Sequence, residues 1–174
     1  SHMTMPEVAY TYALPKDVCD KYHVRKYGAH GTSHRYEWMM AKEILGSRCH
    51  RLLSCHLGNG ASLAAIEDGV CRDTTMGLTP LDGLMMGTRC GSIDPATVCY
   101  LQREGGYTFD EVDEMMNKKS GLLAVTGGKT NDCRNVEELA AAGDPEAQLA
   151  FDMFVYKIAA KAAEMATSMC GMDT

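Results

Sequence analysis

The strand-forming part of this chain is confined to residues 51–76, and that confinement limits the fold more than any other feature. Arg51 to Leu57 reads as a strand, a Gly58-Asn59-Gly60 corner follows, and two short apolar runs flank Asp68-Gly69. An Asp-Gly pair between such runs is a strong hairpin signal, because a type I′ turn needs positive φ at both central positions. The reading is a three-stranded antiparallel meander. From Gly77 to Ile93, glycines 77, 83, 87 and 91 punctuate one long loop, and loops of that length inside a domain are usually functional.

The rest is helical. Ser33 is expected to cap a helix running to about Leu45, with Trp38, Met39, Ala41 and Leu45 as its apolar members and Gly46 as its stop. Residues 4–29 read as irregular, broken by Pro6 and Pro15. Asp94-Pro95 opens a helix that Gly105-Gly106 ends, while Thr108 with Glu111, and Asn135 with Glu138, have capping-box spacing. Asp144-Pro145 opens a last helix reaching about Met169. Its polar residues Lys157, Lys161, Glu164 and Ser168 make one narrow stripe, so burial on nearly all other sides is expected. Three strands cannot cover such a helix or close their own edges, and the chain reads as a piece of a larger protein.

Composition excludes some roles. The 174 residues carry a formal net charge of -6, which argues against a nucleic-acid or anionic-membrane binder. No apolar run approaches the roughly 18 residues that would span a bilayer. Ser1-His2-Met3 reads as an expression-tag remnant. The cysteines show no CxxC pair and no zinc-ligand spacing, so they read as free thilols of a reducing, cytoplasmic compartment, with no metal site. Thirteen methionines against three phenylalanines suggest a core filled by flexible side chains.

Four segments could carry chemistry. His56-Leu57-Gly58-Asn59-Gly60 follows a strand, and its glycines would let the backbone approach a ligand, with successive amides forming an anion nest. No Lys-Ser/Thr follows, so it is not a P-loop; a plain tight turn is the competing reading. Arg89, between Gly87 and Gly91, could present its planar fork to phosphate oxygens, or be a solvated loop arginine. His30, before the first long helix, could donate a hydrogen bond to developing negative charge, or be merely exposed beside a capping Ser33. Asp132, Cys133 and Arg134 could meet the polar edge and ribose of a nucleotide, or hold an ordinary surface ion pair.

Taken together and in this order, the segments resemble the acetate kinase family, of the acetate and sugar kinase/Hsc70/actin superfamily. The match is carried by Tyr27-Gly28-Ala29-His30-Gly31-Thr32-Ser33-His34, Cys55-His56-Leu57-Gly58-Asn59-Gly60-Ala61-Ser62, Asp73-Thr74-Thr75-Met76-Gly77-Leu78-Thr79-Pro80-Leu81 and Met86-Gly87-Thr88-Arg89. Ser120-Gly121-Leu122-Leu123 and Asp132-Cys133-Arg134 fit as well. The resemblance implies an α/β fold, an incomplete ribonuclease-H-like (actin-like ATPase) domain in which residues 4–174 form the N-terminal part of the second, nucleotide-binding domain. It implies reversible transfer of the ATP γ-phosphoryl group to acetate by the parent enzyme, giving acetyl phosphate and ADP. Propionate or butyrate kinase is the alternative, as is a non-catalytic nucleotide-binding or structural fragment. His30 and Arg89 are then transition-state stabilisers, residues 56–60 the phosphate-binding hairpin, Asp132, Cys133 and Arg134 the adenosine contacts, and His34 structural. The implied cofactors are ATP/ADP and Mg²⁺, with the metal ligands outside this chain. The implied partners are acetate or another short-chain carboxylate, the remainder of the enzyme and, at full length, a second copy. Cys90 and Ser92 stand where many members have serine and aspartate, and Gly127-Gly128-Lys129-Thr130-Asn131 is an unusual approach to Asp132.

Overall fold

In a computed structural model, which describes residues 2–174, the chain forms two compact units: the residues up to Gly83 together with Ala159–Thr174, and Leu84–Ile158. The first unit is built on an antiparallel sheet of order β1-β2-β3, with β1 Arg51–Leu57, β2 Ala61–Glu67 and β3 Val70–Thr74. This is the expected meander. Asp68 and Gly69 have φ of 48° and 81°, as the two-residue turn requires. β2 is buried from Ala61 to Ile66 because it lies between its two partners, and a bulge at Ala65/Ile66 shifts the β2–β3 register.

Two short helices, α1 Glu7–Tyr10 and α2 Lys16–Tyr22, occupy the stretch read as irregular. Pro6 and Pro15 immediately precede their first turns, where a missing N–H costs nothing, so these prolines start helices instead of breaking them. The Lys26 ammonium bonds Asp73 at 2.7 Å, and the Tyr27 and Gly28 amides donate to the Gly77 carbonyl at 3.0 and 3.1 Å. Together these tie the segment before His30 to the end of β3. His2 is buried, its ring bonded to the Ala29 carbonyl at 2.6 Å and to Cys71 Sγ at 3.3 Å.

α3, Gly31–Leu45, contacts β1. Trp38, Ala41 and Leu45 pack on Cys49, Leu52, Ala64 and Ile66, while Met39 points outward and is exposed. The helix begins two residues before the expected cap: His30 is the N-cap residue, in the left-handed region at φ 59°, and Ser33 lies in the first turn. Gly46 ends it as expected. Asp173 and Thr174 lie along the outer edge of β1, with Thr174 N on Arg51 O at 3.3 Å and Leu53 N on Thr174 O at 2.8 Å, the pattern of a parallel bridge.

The second unit holds α4 Ala96–Glu104, α5 Phe109–Lys118, α6 Gly121–Val125, α7 Cys133–Ala141 and the first half of α8, Pro145–Ser168. Met85, Leu122, Val136, Ala147 and Ala150 form its core. The Asp94 carboxylate accepts from Ala96 N at 2.9 Å, and the Thr108–Glu111 capping box is complete. The Asn135–Glu138 box is not formed. Asp132 caps that helix, which leaves Asn135 already inside it. α8 is also less covered than its composition asks for: Leu149, Val155 and Tyr156 are exposed, since nothing among the described residues packs on that face. Met5, Met76, Met85, Met86, Met165 and Met169 are buried, in keeping with a methionine-rich core. No helix among the described residues is long and apolar enough to cross a membrane.

At Gly69 a Cβ would sit 3.1 Å from Trp38 Nε1 in a backbone conformation that side chains avoid. Gly69→Ala is expected to cost about 1–2 kcal/mol, read as a lower urea midpoint in the fluorescence of Trp38, the single tryptophan.

Candidate functional site

The first unit gathers His30, His34 and His56 where the start of α3 meets β1 and β2. Helical spacing places His30, Ser33, His34 and Glu37 on one face of α3 and its N-cap. The two-residue repeat of a strand puts Ser54 and His56 on one face of β1, and the register pairs His56 with Ser62. The His30 and His56 rings stack, with centroids 3.9 Å apart and planes inclined by 19°. His30 Nδ1 lies 2.8 Å from Ser62 Oγ, and His56 Nδ1 lies 3.0 Å from Ser33 Oγ. Beneath them, buried His34 bridges Ser54 Oγ at 2.5 Å through Nδ1 and Ser62 Oγ at 2.9 Å through Nε2. Ser33 donates to Glu37 Oε1 at 3.0 Å and Ser54 donates to Glu37 Oε2.

Burial pushes the His34 imidazole down to about 3, helped by the neighbouring rings of His2, His30 and His56. Burial also lowers His2, against the opposing bond to the Ala29 carbonyl. The thiol of Cys71 is pushed up to about 11, again mainly by burial.

At the β1–β2 corner, residues 58–60, the structure favours the tight turn over the nest, the two readings of its sequence. None of Gly58, Asn59 and Gly60 has positive φ, so the alternation of right- and left-handed residues that builds a nest is not formed. Gly58 N donates instead to Gly60 O at 3.2 Å. Leu57 and Asn59 are exposed, and a Cβ at Gly58 would stand 3.4 Å from His56 Nε2.

In the second unit, Arg89 sits on a loop held from both sides by backbone bonds. Met86 N donates to Arg89 O at 3.1 Å, Cys90 N to Met116 O at 3.0 Å, Ser120 N to Thr88 O at 3.0 Å and Leu123 N to Gly87 O at 2.9 Å. Gly121, at φ 64°, makes this approach possible, because a Cβ there would lie 2.8 Å from Arg89 O and 3.0 Å from Met86 C. Gly87 backs onto the Asn131 carbonyl, 2.9 Å from where its Cβ would be, so the Arg89 loop and the Asp132 segment are neighbours.

The Asp132 carboxylate is held down at about 2 by the side chain of Arg134, then by the Arg134 amide that it caps. Arg134 is otherwise exposed, its Nη2 2.8 Å from Asp132 Oδ2. The Cys133 side chain packs on the core of the unit. The unusual 127–131 approach is anchored by Thr126 Oγ1, which donates to the Thr130 carbonyl at 3.0 Å, and by Lys129 bonded to Asp144 and Glu146 at 2.5 and 2.9 Å.

The structure thus joins His30 with His56 in one unit, and the Arg89 loop with residues 131–134 in the other. Sequence reading missed Ser33, Ser54, Ser62 and Glu37 as supports. Their spacings, i, i+3, i+4, i+7 on the helix and i, i+2 on the strand, were the available signal.

The family model described as the acetokinase family matches residues 1–174. The chain belongs to the acetokinase family. Acetate kinase 2 of Clostridium perfringens is 56% identical over 155 residues, covering 88% of this chain and 39% of that protein. The crystal structure of Porphyromonas gingivalis acetate kinase superposes with a TM-score of 0.94 at 44% identity, covering 98% of this chain and 43% of that one. A propionate kinase from Francisella tularensis subsp. tularensis SCHU S4 gives 0.90 at 46% identity, covering 94% and 42%. The chain therefore spans about two-fifths of the length of its acetokinase relatives, and its α/β architecture with an antiparallel meander is that of the family.

Two outcomes follow from the geometry. His34 is lowered from 6.5 in the unfolded chain to about 3 in the folded one, so the unfolded chain takes up the proton first. Its share of stability is complete above pH 6.5 and is lost as pH falls towards about 3, with a slope of up to about 1.4 kcal/mol per pH unit. The His34 Cε1–H resonance is expected to hold its neutral position throughout a titration from pH 7 to about pH 4; movement at the usual imidazole midpoint would contradict this. Gly121→Ala should destabilise the second unit by about 2 kcal/mol or more, seen as a lower thermal midpoint.

Proposed function

We propose that the chain is the phosphate- and nucleotide-facing part of an acetate kinase, which moves the γ-phosphoryl group of ATP to acetate and back. What supports the proposal is family membership together with the stacked His30 and His56 beside the 58–60 corner and Arg89 on a loop held by four backbone bonds. Phosphoryl transfer needs positioning and charge stabilisation more than covalent help from the protein. A guanidinium whose backbone is fixed offers parallel N–H donors to equatorial phosphoryl oxygens without reorganisation. The family resemblance assigns His30, whose Nδ1 is bonded to Ser62, the role of second stabiliser. The residues of the 56–60 corner would face the phosphate chain, and the backbone of 132–134 with the exposed Arg134 fork would face the nucleoside.

Magnesium, when bound, neutralises β- and γ-phosphate charge. The proposal places it on the nucleotide and assigns it no ligand from this chain. Residues 4–174 are read as the first part of the nucleotide-binding domain. The acyl acceptor is acetate, as the names of the Clostridium perfringens and Porphyromonas gingivalis relatives suggest; the propionate kinase neighbour makes propionate the comparison substrate.

In the complete enzyme carrying this chain, Arg89→Ala is expected to lower kcat for acetyl phosphate formation by about 10²–10³-fold, with a much smaller change in the KM for ATP. Unchanged kcat would refute the role of Arg89, and preference for propionate over acetate in kcat/KM would refute the acceptor. For the 174-residue chain alone, calorimetric titration with Mg-ATP beside Arg89→Ala tests whether the phosphate site works without the rest of the enzyme.

A further inference from the structure

We propose that Glu37 is a positioning residue, one carboxylate that fixes the Nδ1–H tautomer of His30, His34 and His56 through the hydroxyls of Ser33, Ser54 and Ser62. These groups form a closed circuit: Glu37 to Ser33 to His56, across the ring stack to His30, then Ser62, His34, Ser54 and back to Glu37. Every hydrogen-bonding link in it has its direction forced once the carboxylate is in place.

A carboxylate only accepts, and a serine hydroxyl has one proton to give. Ser33 spends its proton on Glu37 Oε1, so its oxygen must accept from His56, which therefore carries hydrogen on Nδ1. Ser54 spends its proton on Glu37 Oε2, so it must accept from His34 Nδ1–H. His34 is buried and neutral, as its lowered pKa accords with, so its Nε2 is a bare acceptor and must receive the Ser62 proton. Ser62 then has only its oxygen left for His30, which in turn must carry hydrogen on Nδ1. His2 lies outside the circuit, since its ring bonds Ala29 O and Cys71 Sγ.

The consequence is that in the neutral rings of His30 and His56 the hydrogen sits on Nδ1 and Nε2 carries none, so that Nε2 accepts when the ring is neutral and donates once it is protonated. At His56 that nitrogen faces the 58–60 corner, 3.4 Å from where a Cβ of residue 58 would stand. The kinase reading enters only in what such a nitrogen would do for a phosphate; the tautomers stand or fall without it.

The test is long-range ¹H–¹⁵N correlation of the imidazoles in the ¹⁵N-labelled chain at about pH 8.5, where ordinary histidines are neutral. The wild-type chain should show Nδ1–H in all three rings. Glu37→Gln places an amide NH₂ against one of the two serines. That hydroxyl must turn its proton towards its histidine, so either His56 alone or His34 and His30 together should exchange their two ¹⁵N positions. Ser33→Ala should release His56 alone and leave His30 and His34 unchanged. Nε2–H in wild-type His30 or His56 would overturn the proposal. So would a folded Glu37→Gln chain that keeps Nδ1–H in every ring. If Glu37→Gln does not fold, by Trp38 fluorescence, an unmoved His56 in Ser33→Ala overturns it instead. A merely structural Glu37 would alter stability without exchanging ring nitrogens.

Discussion

The pairing of β1 with β2 decides where the chemistry of the first unit can be. Because side chains alternate along a strand, Ser54 and His56 share one face of β1, and Ser62 stands opposite His56 only in the observed register. A slip of β1 by one residue would turn Ser54 and His56 away from α3 and bring Cys55 towards the helix. What prevents the slip is the apolar half of the same interface. Leu52, Ala64 and Ile66 have to meet Trp38, Ala41 and Leu45, so the greasy end of α3 holds the register that its polar end uses.

A similar division of labour runs through the second unit. Its buried core of Met85, Leu122, Val136, Ala147 and Ala150 carries no charge, yet it seats α6 and α7, and those helices hold the Arg89 loop and present Asp132. Gly121 and Gly87 are the points where backbone meets backbone too closely for any side chain. Both units therefore keep their polar groups on frames whose cohesion is apolar or steric, and both use backbone contacts to restrict what the side chains can do.

Much of this was legible in the residues. The meander followed from Asp68-Gly69 and the runs around it, and the Thr108–Glu111 cap from its spacing, because both are local signals with one geometry that satisfies them. Where the reading departed, the competition was tertiary or positional. Ser33 has the chemistry of a cap, but Glu37 and His56 claim its hydroxyl, and left-handed His30 takes the cap position. Asn135 lost its role to Asp132, three residues earlier, whose carboxylate reaches the first amides. The nest at residues 58–60 failed because glycine permits positive φ without demanding it. The helical spacing of Glu37 from His30, Ser33 and His34 was the one signal for its support, and spacing alone does not tell a helix carboxylate facing water from one facing two serines.

The circuit around Glu37 also bears on how such a chain can change over generations. Each member satisfies its neighbour, so replacing one alone strands a half-buried donor or acceptor, at a cost of about 1–3 kcal/mol. An alanine at position 54 would leave the Nδ1–H of His34 without a partner, and a glutamine at 37 would set two hydroxyls in conflict. Drift through single neutral steps is closed to these residues. The circuit therefore predicts that the seven positions change together, a constraint that does not reach exposed neighbours such as Tyr36, Met39 and Ile44.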